Sequence, residues 1–97
     1  MPPDHQNSFN VTDTLDLHGF FPEQIPEIID AFLENAQDLS LSDLRIIHGK
    51  GRSRLKYEVH AILKTDPRVI AFSDAPPWAG GWGATVLQIA RRTVSRP

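Results

Sequence analysis

A chain of 97 residues can build one modest hydrophobic core, and at this length a second domain does not fit. It contains no cysteine, which excludes disulfide frameworks, thiolate nucleophiles and Cys-ligated metals, so any chemistry must come from His, carboxylate, hydroxyl or backbone groups. The formal net charge of −2 hides a partition: Met1 to Leu44 hold nine acids and no Lys or Arg, whereas Arg45 to Pro97 hold ten basic residues against three acids. No run approaches the roughly 20 apolar residues of a membrane span, and Met1 to Ser8 lack the basic and apolar regions of a signal peptide, so a cytoplasmic chain without membrane contact is expected.

Residues 1–11 carry Pro2, Pro3, Asn7 and Ser8 without periodicity and read as a flexible N-terminal segment preceding a domain at 12–92, with a short tail at 93–97. Thr12 to Leu17 alternate polar and apolar side chains, the signature of a strand with one buried face, closed by His18-Gly19. From Pro22 to Leu39, Ile25, Ile28, Ile29, Phe32, Ala36 and Leu39 recur at three- and four-residue intervals, with acids on the other faces. This is an amphipathic helix whose first turn accommodates Pro22 or Pro26. Leu44 to Ile47 form a short buried strand ended by His48-Gly49-Lys50-Gly51. A second helix follows from about Ser53, its available N-cap, to Thr65, with Leu55, Val59, Ile62 and Leu63 on one stripe. Val69 to Ser73 and Ala84 to Ala90 are two further strands separated by A-P-P-W-A-G-G-W-G.

The order β-α-β-α-β-β predicts an α/β (α+β) two-layer sandwich, a four-stranded mixed sheet with both helices on one face. Its first two strands are parallel, so the loops D-L-H-G and H-G-K-G emerge together at their carboxyl ends, where open α/β sheets bind ligands.

Three segments carry chemistry. Strand alternation puts Asp16 and His18 on the same side, and a carboxylate beside an imidazole fixes its tautomer and raises its basicity. Adjacent strands lie about 5 Å apart, which is expected to bring His48 towards a common pocket with His18 and complete an acid–base set of Asp16, His18 and His48. H-G-K-G leads into a helix, so the backbone of Gly49, Lys50 and Gly51 is placed to cradle a phosphate, with Lys50, Arg52, Arg54 and Lys56 supplying charge. Trp78 and Trp82 lie in the Gly-rich loop, where they either stack on unpaired bases or fold back over the sheet, and Trp82 joins the candidate nucleic-acid-binding residues. His5 and His60 receive no role, and no metal-ligating cluster is evident.

Together the ordered segments L-D-L-H-G (15–19), H-G-K-G (48–51) and G-G-W-G-A-T (80–85) resemble the signature of the Smr (small MutS-related) domain family, over about Thr14 to Ile89. The resemblance implies a fold similar to the C-terminal domain of bacterial translation initiation factor three. It implies an endonuclease that nicks DNA or cleaves RNA, with Asp16 and His18 as the catalytic pair, and DNA, RNA or the ribosome as partner. The chain's length resembles the stand-alone bacterial members or an excised C-terminal domain. It departs from the family pattern at Ser53, where a further glycine is common, and at Gln24-Ile25, where a Glu-Ala pair is common. The second departure leaves Asp16 and Glu23 as the carboxylates of this region and weakens a two-carboxylate metal site.

On RNA, His18 or Asp16 would deprotonate the ribose 2′-hydroxyl and His48 would protonate the leaving 5′-oxygen, with no metal requirement. On DNA, an activated water is needed, supplied through Mg²⁺ held by Asp16 and the scissile phosphate. The alternative is a module that binds nucleic acid or a ribosome without cutting. A small-molecule phosphoesterase fits less well, because so short a chain cannot enclose a deep pocket.

Overall fold

The computed structural model describes residues 13–50 and 53–91, and the side chain of Ser53 is not among the described groups. The expected flexible segment, the C-terminal tail, Gly51, Arg52 and the Ser53 cap therefore lie outside the described residues.

Strand β1 spans Thr14–Asp16 and helix α1 spans Ile25–Asp38, preceded by a 3-10 turn at Pro22–Gln24. Strand β2 covers Asp43–Ile47, helix α2 Ser53–Thr65, β3 Val69–Asp74 and β4 Ala84–Ile89, with 3-10 turns at Pro77–Ala79 and Gly81–Gly83. Both prolines fall in first turns, Pro22 in the 3-10 turn and Pro26 in α1, where a missing N–H costs no intrahelical bond. The end of α1 is closed by Ser40 N–H to the Gln37 carbonyl at 3.1 Å and Leu41 N–H to the Ala36 carbonyl at 2.9 Å, with Ser40 at φ 61°. That turn stops the helix at Asp38, and Leu39, expected on the apolar stripe, is exposed.

The sheet order is β1-β2-β4-β3. β1 and β2 are parallel, while β4 runs antiparallel to both its neighbours. One face is covered by both helices. Leu15 and Leu17 from the β1 segment, Leu44 and Ile46 from β2, and Leu87 and Ile89 from β4 pack there against Ile25, Ile29, Phe32 and Leu33 of α1 and Val59 and Leu63 of α2. Burying each such aliphatic side chain is worth about 1.5–3 kcal/mol, which is what the two hydrophobic periodicities encode. A clamp closes the far end, where Arg68 reaches Asp66 and Asp30 at 2.7 Å each, and its guanidinium holds the Asp66 carboxyl below the ordinary range.

The opposite face is largely open. Near one end the 75–83 segment folds over it, packing Ala75 and Ala79 on Ala84, Ile47 and Val86, and Arg45 Nη1 donates to the Ala79 carbonyl at 3.0 Å.

Candidate functional site

Parallel β1 and β2 end at the edge where antiparallel β4 begins, so the three chemically distinctive segments meet there. Asp16 is the last residue of β1 and faces the open side, because Leu15 and Leu17 on either side of it are drawn into the core. Its Oδ1 accepts the backbone N–H of His18 at 2.9 Å, a turn that fixes the carboxylate at the strand end. The expected carboxylate–imidazole bond is thus replaced by a bond to the backbone of the same residue. Both side chains are exposed, and Oδ2 of Asp16 has no partner among the described residues.

The H-G-K and G-G-W-G segments interlock. The Gly83 carbonyl accepts the N–H groups of both His48 and Gly49 at 2.9 Å. A Cβ on Gly83 would stand 3.0 Å from Lys50 Cγ and 3.2 Å from Lys50 N, so the missing side chain is what lets the two loops touch. The amides expected to cradle an anion are therefore partly committed: Gly49 N–H points at Gly83. Gly49 adopts φ 92°, a conformation that suits glycine, and this turn throws Lys50 outward into solvent.

His48 is not at the surface with His18. Only 4% exposed, it shares the helix-covered face with Leu44 and Ile46 and donates to or accepts from Thr85 Oγ1 through Nε2 at 2.9 Å. His60 of α2 reaches the same hydroxyl through its own Nε2 at 2.8 Å and packs edge-on against Phe72, with ring centroids 4.9 Å apart. The expectation of a pocket shared by His18, Asp16 and His48 is corrected accordingly: Asp16 pairs with Ile47 and points to the opposite face from His48. A single hydroxyl has one proton to give, so at most one Nε2 accepts from Thr85 and at least one donates to it. Burial lowers the pKa of both rings, chiefly by desolvation. Lys56 adds to the effect, and Asp74 opposes it. Nδ1 of His48 is buried without a hydrogen-bond partner among the described residues, although the adjacent Gly49 backbone favours the protonated ring. From the sequence His60 receives no role and Thr85 enters only as the last residue of G-G-W-G-A-T; the signal was a hydroxyl residue in register with the apolar Ile46 of the neighbouring strand.

Of the basic residues expected around the loop, Lys50 and Arg54 are exposed. Lys56 is engaged instead. Its Nζ pairs with Asp74 Oδ1 at 2.8 Å and lies 4.9 Å from the centroid of the Trp82 ring. Trp82 and Trp78 are 70% and 87% exposed, so neither folds back to cover the sheet, a task done by Ala75 and Ala79. A broad shallow depression of about 1410 Å³ crosses the open face, bordered by Asp16, Phe20, Arg45 and Trp78. Among the described residues no group of three or more His, Asp or Glu side chains is placed to hold a metal ion, and no helix is long and apolar enough to cross a membrane.

This arrangement has counterparts in known proteins. The crystal structure of the Smr domain of Thermus thermophilus MutS2 superposes with a TM-score of 0.76 at 40% identity, covering 80% of this chain and 98% of that one. YdaL, a stand-alone small MutS-related protein from Escherichia coli, superposes with a TM-score of 0.77 at 27% identity, covering 84% of this chain and 66% of that one. In sequence, the chain is 41% identical over 75 residues to Endonuclease MutS2 of Thermus thermophilus and 39% identical over 75 residues to Endonuclease MutS2 of Helicobacter pylori. Those stretches are 77% of this chain but only 10% of each relative's length. The Smr domain family model matches residues 15–90, the span that holds all three interlocked segments, and the chain belongs to the Smr domain family.

Proposed function

We propose that this domain is an endonuclease that binds nucleic acid across the edge formed by the ends of β1 and β2 and the start of β4. The observation that carries the reading is the convergence there of an exposed Asp16-His18 pair and an exposed Lys50 held out by the Gly49–Gly83 contact. Homology to the Smr domains of proteins named endonucleases supports it.

Lys50 and Arg54 attract and orient the phosphodiester, a task that needs charge rather than base contacts. With His48 buried on the other face, acid and base both come from the end of β1. On RNA, Asp16 takes the proton of the ribose 2′-hydroxyl through its unpartnered Oδ2, and O2′ attacks phosphorus. The P–O5′ bond breaks, and His18 gives a proton to the departing 5′-oxygen. The products are a 2′,3′-cyclic phosphate and a 5′-hydroxyl. His48 acts as a positioning residue, tying the loop to Thr85 and His60 from beneath.

A DNA substrate lacks the internal nucleophile and needs an activated water. Asp16 offers one carboxylate with one unpartnered oxygen, a donor set that fits Mg²⁺ only if the phosphate and water complete its shell. When bound, the ion would lower the pKa of a coordinated water. A second reading, a binding module that cuts nothing, is favoured by the bond from His18 N–H to Asp16, which gives this carboxylate a structural reason to be present.

Asp16→Asn separates the readings, because its amide oxygen retains the turn while the charge and basicity are lost. End-labelled single-stranded RNA and supercoiled plasmid are incubated with the wild type, Asp16→Asn and His18→Ala, with and without EDTA. The expected result is RNA cleavage that resists EDTA and falls about 100-fold or more in either variant. EDTA-sensitive plasmid nicking would select the DNA route. Salt-dependent binding with no cleavage of either substrate would refute the nuclease assignment and leave the binding module.

A further inference from the structure

We infer that Trp82 is a base-stacking platform that makes this edge select an unpaired strand over a duplex. The inference rests on the nucleic-acid reading above and specifies its substrate class.

Trp82 sits in a turn that is fixed on every side. Gly81 N–H donates to the Pro76 carbonyl at 3.0 Å, Gly83 N–H donates to the Gly80 carbonyl at 3.0 Å, and the Gly83 carbonyl holds the His48 and Gly49 amides. Gly80 and Gly81 take φ values of 119° and 52°, and this backbone path carries the indole out from the sheet edge. One ring face is occupied by the Lys56 ammonium, which is itself pinned by Asp74 and only 20% exposed along its side chain. With the residue 70% exposed, the other face is open. Leaving so much indole in water is unfavourable, whereas immobilising it beforehand removes most of the ordering cost of a flat partner. Trp78 is more exposed still, but among the described residues no cation or ring holds it.

The partner that fits a flat, open, electron-rich face beside exposed cations is a nucleobase on a phosphate backbone. Within a duplex both faces of each base are already stacked and only the edges are offered, so the platform engages an unpaired base. Its position follows from the sheet. β4 starts two strands from β1, about 10 Å at the usual strand spacing. Because Trp82 lies against Lys56 on the helix-covered side while Asp16 faces the open side, this spacing is a lower limit, and the stacked base lies at least about three nucleotides from a phosphate beside Asp16, taking the ~3.4 Å rise of stacked bases. Lys50, in the loop after β2, falls between the two.

The test uses a Trp78→Phe chain, in which Trp82 is the one remaining indole. The probe is a 20-nucleotide 2′-O-methyl oligouridine, which lacks the nucleophilic hydroxyl and cannot be cleaved by the proposed route, presented single-stranded or as a blunt duplex. Saturation with the single strand is expected to quench Trp82 fluorescence, and the duplex to leave it nearly unchanged. By anisotropy, Trp82→Ala should weaken single-strand binding about 5- to 100-fold, the range of base–aromatic stacking, while Trp82→Phe recovers most of it. Unfolding midpoints of both variants verify that the fold is kept. If the single strand binds, responds to Lys50→Ala and yet is indifferent to Trp82→Ala, the stacking inference is overturned while the nucleic-acid reading stands. No binding of either probe overturns both.

Discussion

Replacing Thr85 by Val tests whether one hydroxyl organises the interior behind the loop. The side chains are nearly equal in size, so the change deletes the acceptor and donor shared by His48 Nε2 at 2.9 Å and His60 Nε2 at 2.8 Å without opening a cavity. His48 suffers most, because its ring is 4% exposed and its Nδ1 already lacks a partner among the described residues, so both ring nitrogens would be buried without one. An unsatisfied buried group of this kind costs about 1–3 kcal/mol. His60 is half-buried and recovers a water, and the extra methyl group returns at most about 0.8 kcal/mol. A net loss of about 1–3 kcal/mol is expected, against a total of about 5–15 kcal/mol for a domain. In urea the unfolding midpoint should fall with an unchanged m-value, and on heating the midpoint should drop by roughly 5–20 °C. Thr65→Val is the control. Its hydroxyl bonds the Ala61 and Ile62 carbonyls at 3.4 and 3.2 Å on an exposed helix end, and its loss should stay within about 0.5 kcal/mol. If Thr85→Val is as mild as the control, the hydroxyl does not hold the two rings and the reasoning fails.

Two further outcomes follow from the same region. Because the folded pKa values of His48 and His60 lie below the ordinary 6.5, the unfolded chain binds protons that the folded chain refuses. Stability should therefore be full above about pH 7.5 and decline as pH falls through 6.5 towards the lowered folded values, by at most ~1.4 kcal/mol per pH unit for His48 and less for half-exposed His60. A urea midpoint that stays level from pH 8 to pH 5 would contradict this. Gly83→Ala should push Lys50 from its place, since the new Cβ meets Lys50 Cγ at 3.0 Å and Lys50 N at 3.2 Å, costing about 1–3 kcal/mol and shifting the Lys50 amide resonance. Gly81→Ala, with nothing within 4 Å but a φ of 52°, should cost about 1–2 kcal/mol and leave that resonance in place.

The elements were legible in the sequence because each has a single buried face. The intervals from Ile25 to Ala36 and from Leu55 to Leu63 match the helices, with Leu33 added to the core and Leu39 lost from it by the turn at Ser40. The separation of Asp16 from His48 was legible too, by the alternation that places Asp16 and His18 on one side. Leu15 and Leu17 face the core, so Asp16 does not; Leu44 and Ile46 face the core, so His48 does. The insertion of β4 between β2 and β3 has no such local signal, since it depends on how the 75–83 segment turns back. For that reason Thr85 and His60, from strand and helix 25 residues apart, could not be paired with His48 beforehand. The state of the tryptophans was equally hidden, because it follows from φ values that only a folded glycine turn reveals.

Under the proposed nucleic-acid reading, the electrostatics of the edge make shape matter to the ligand. Four basic residues at positions 50 to 56 suggest a strong polycationic patch, but Lys56 is paired with Asp74 and lies against Trp82. Among the described members of that cluster, Lys50 and Arg54 remain free to meet phosphate. Two such contacts would give a single strand a slope of only about −1.4 in log K against log salt, far less than the proteins whose affinity is mainly counterion release. The acids of α1 work against a larger field, since the first 44 residues carry no positive side chain. A ligand that meets only those two cations draws the rest of its affinity from contacts that salt does not screen. Under that reading, the indole of Trp82 is one exposed group on this edge that can supply them at little ordering cost, held by the Lys56 ammonium that the phosphates therefore do not receive.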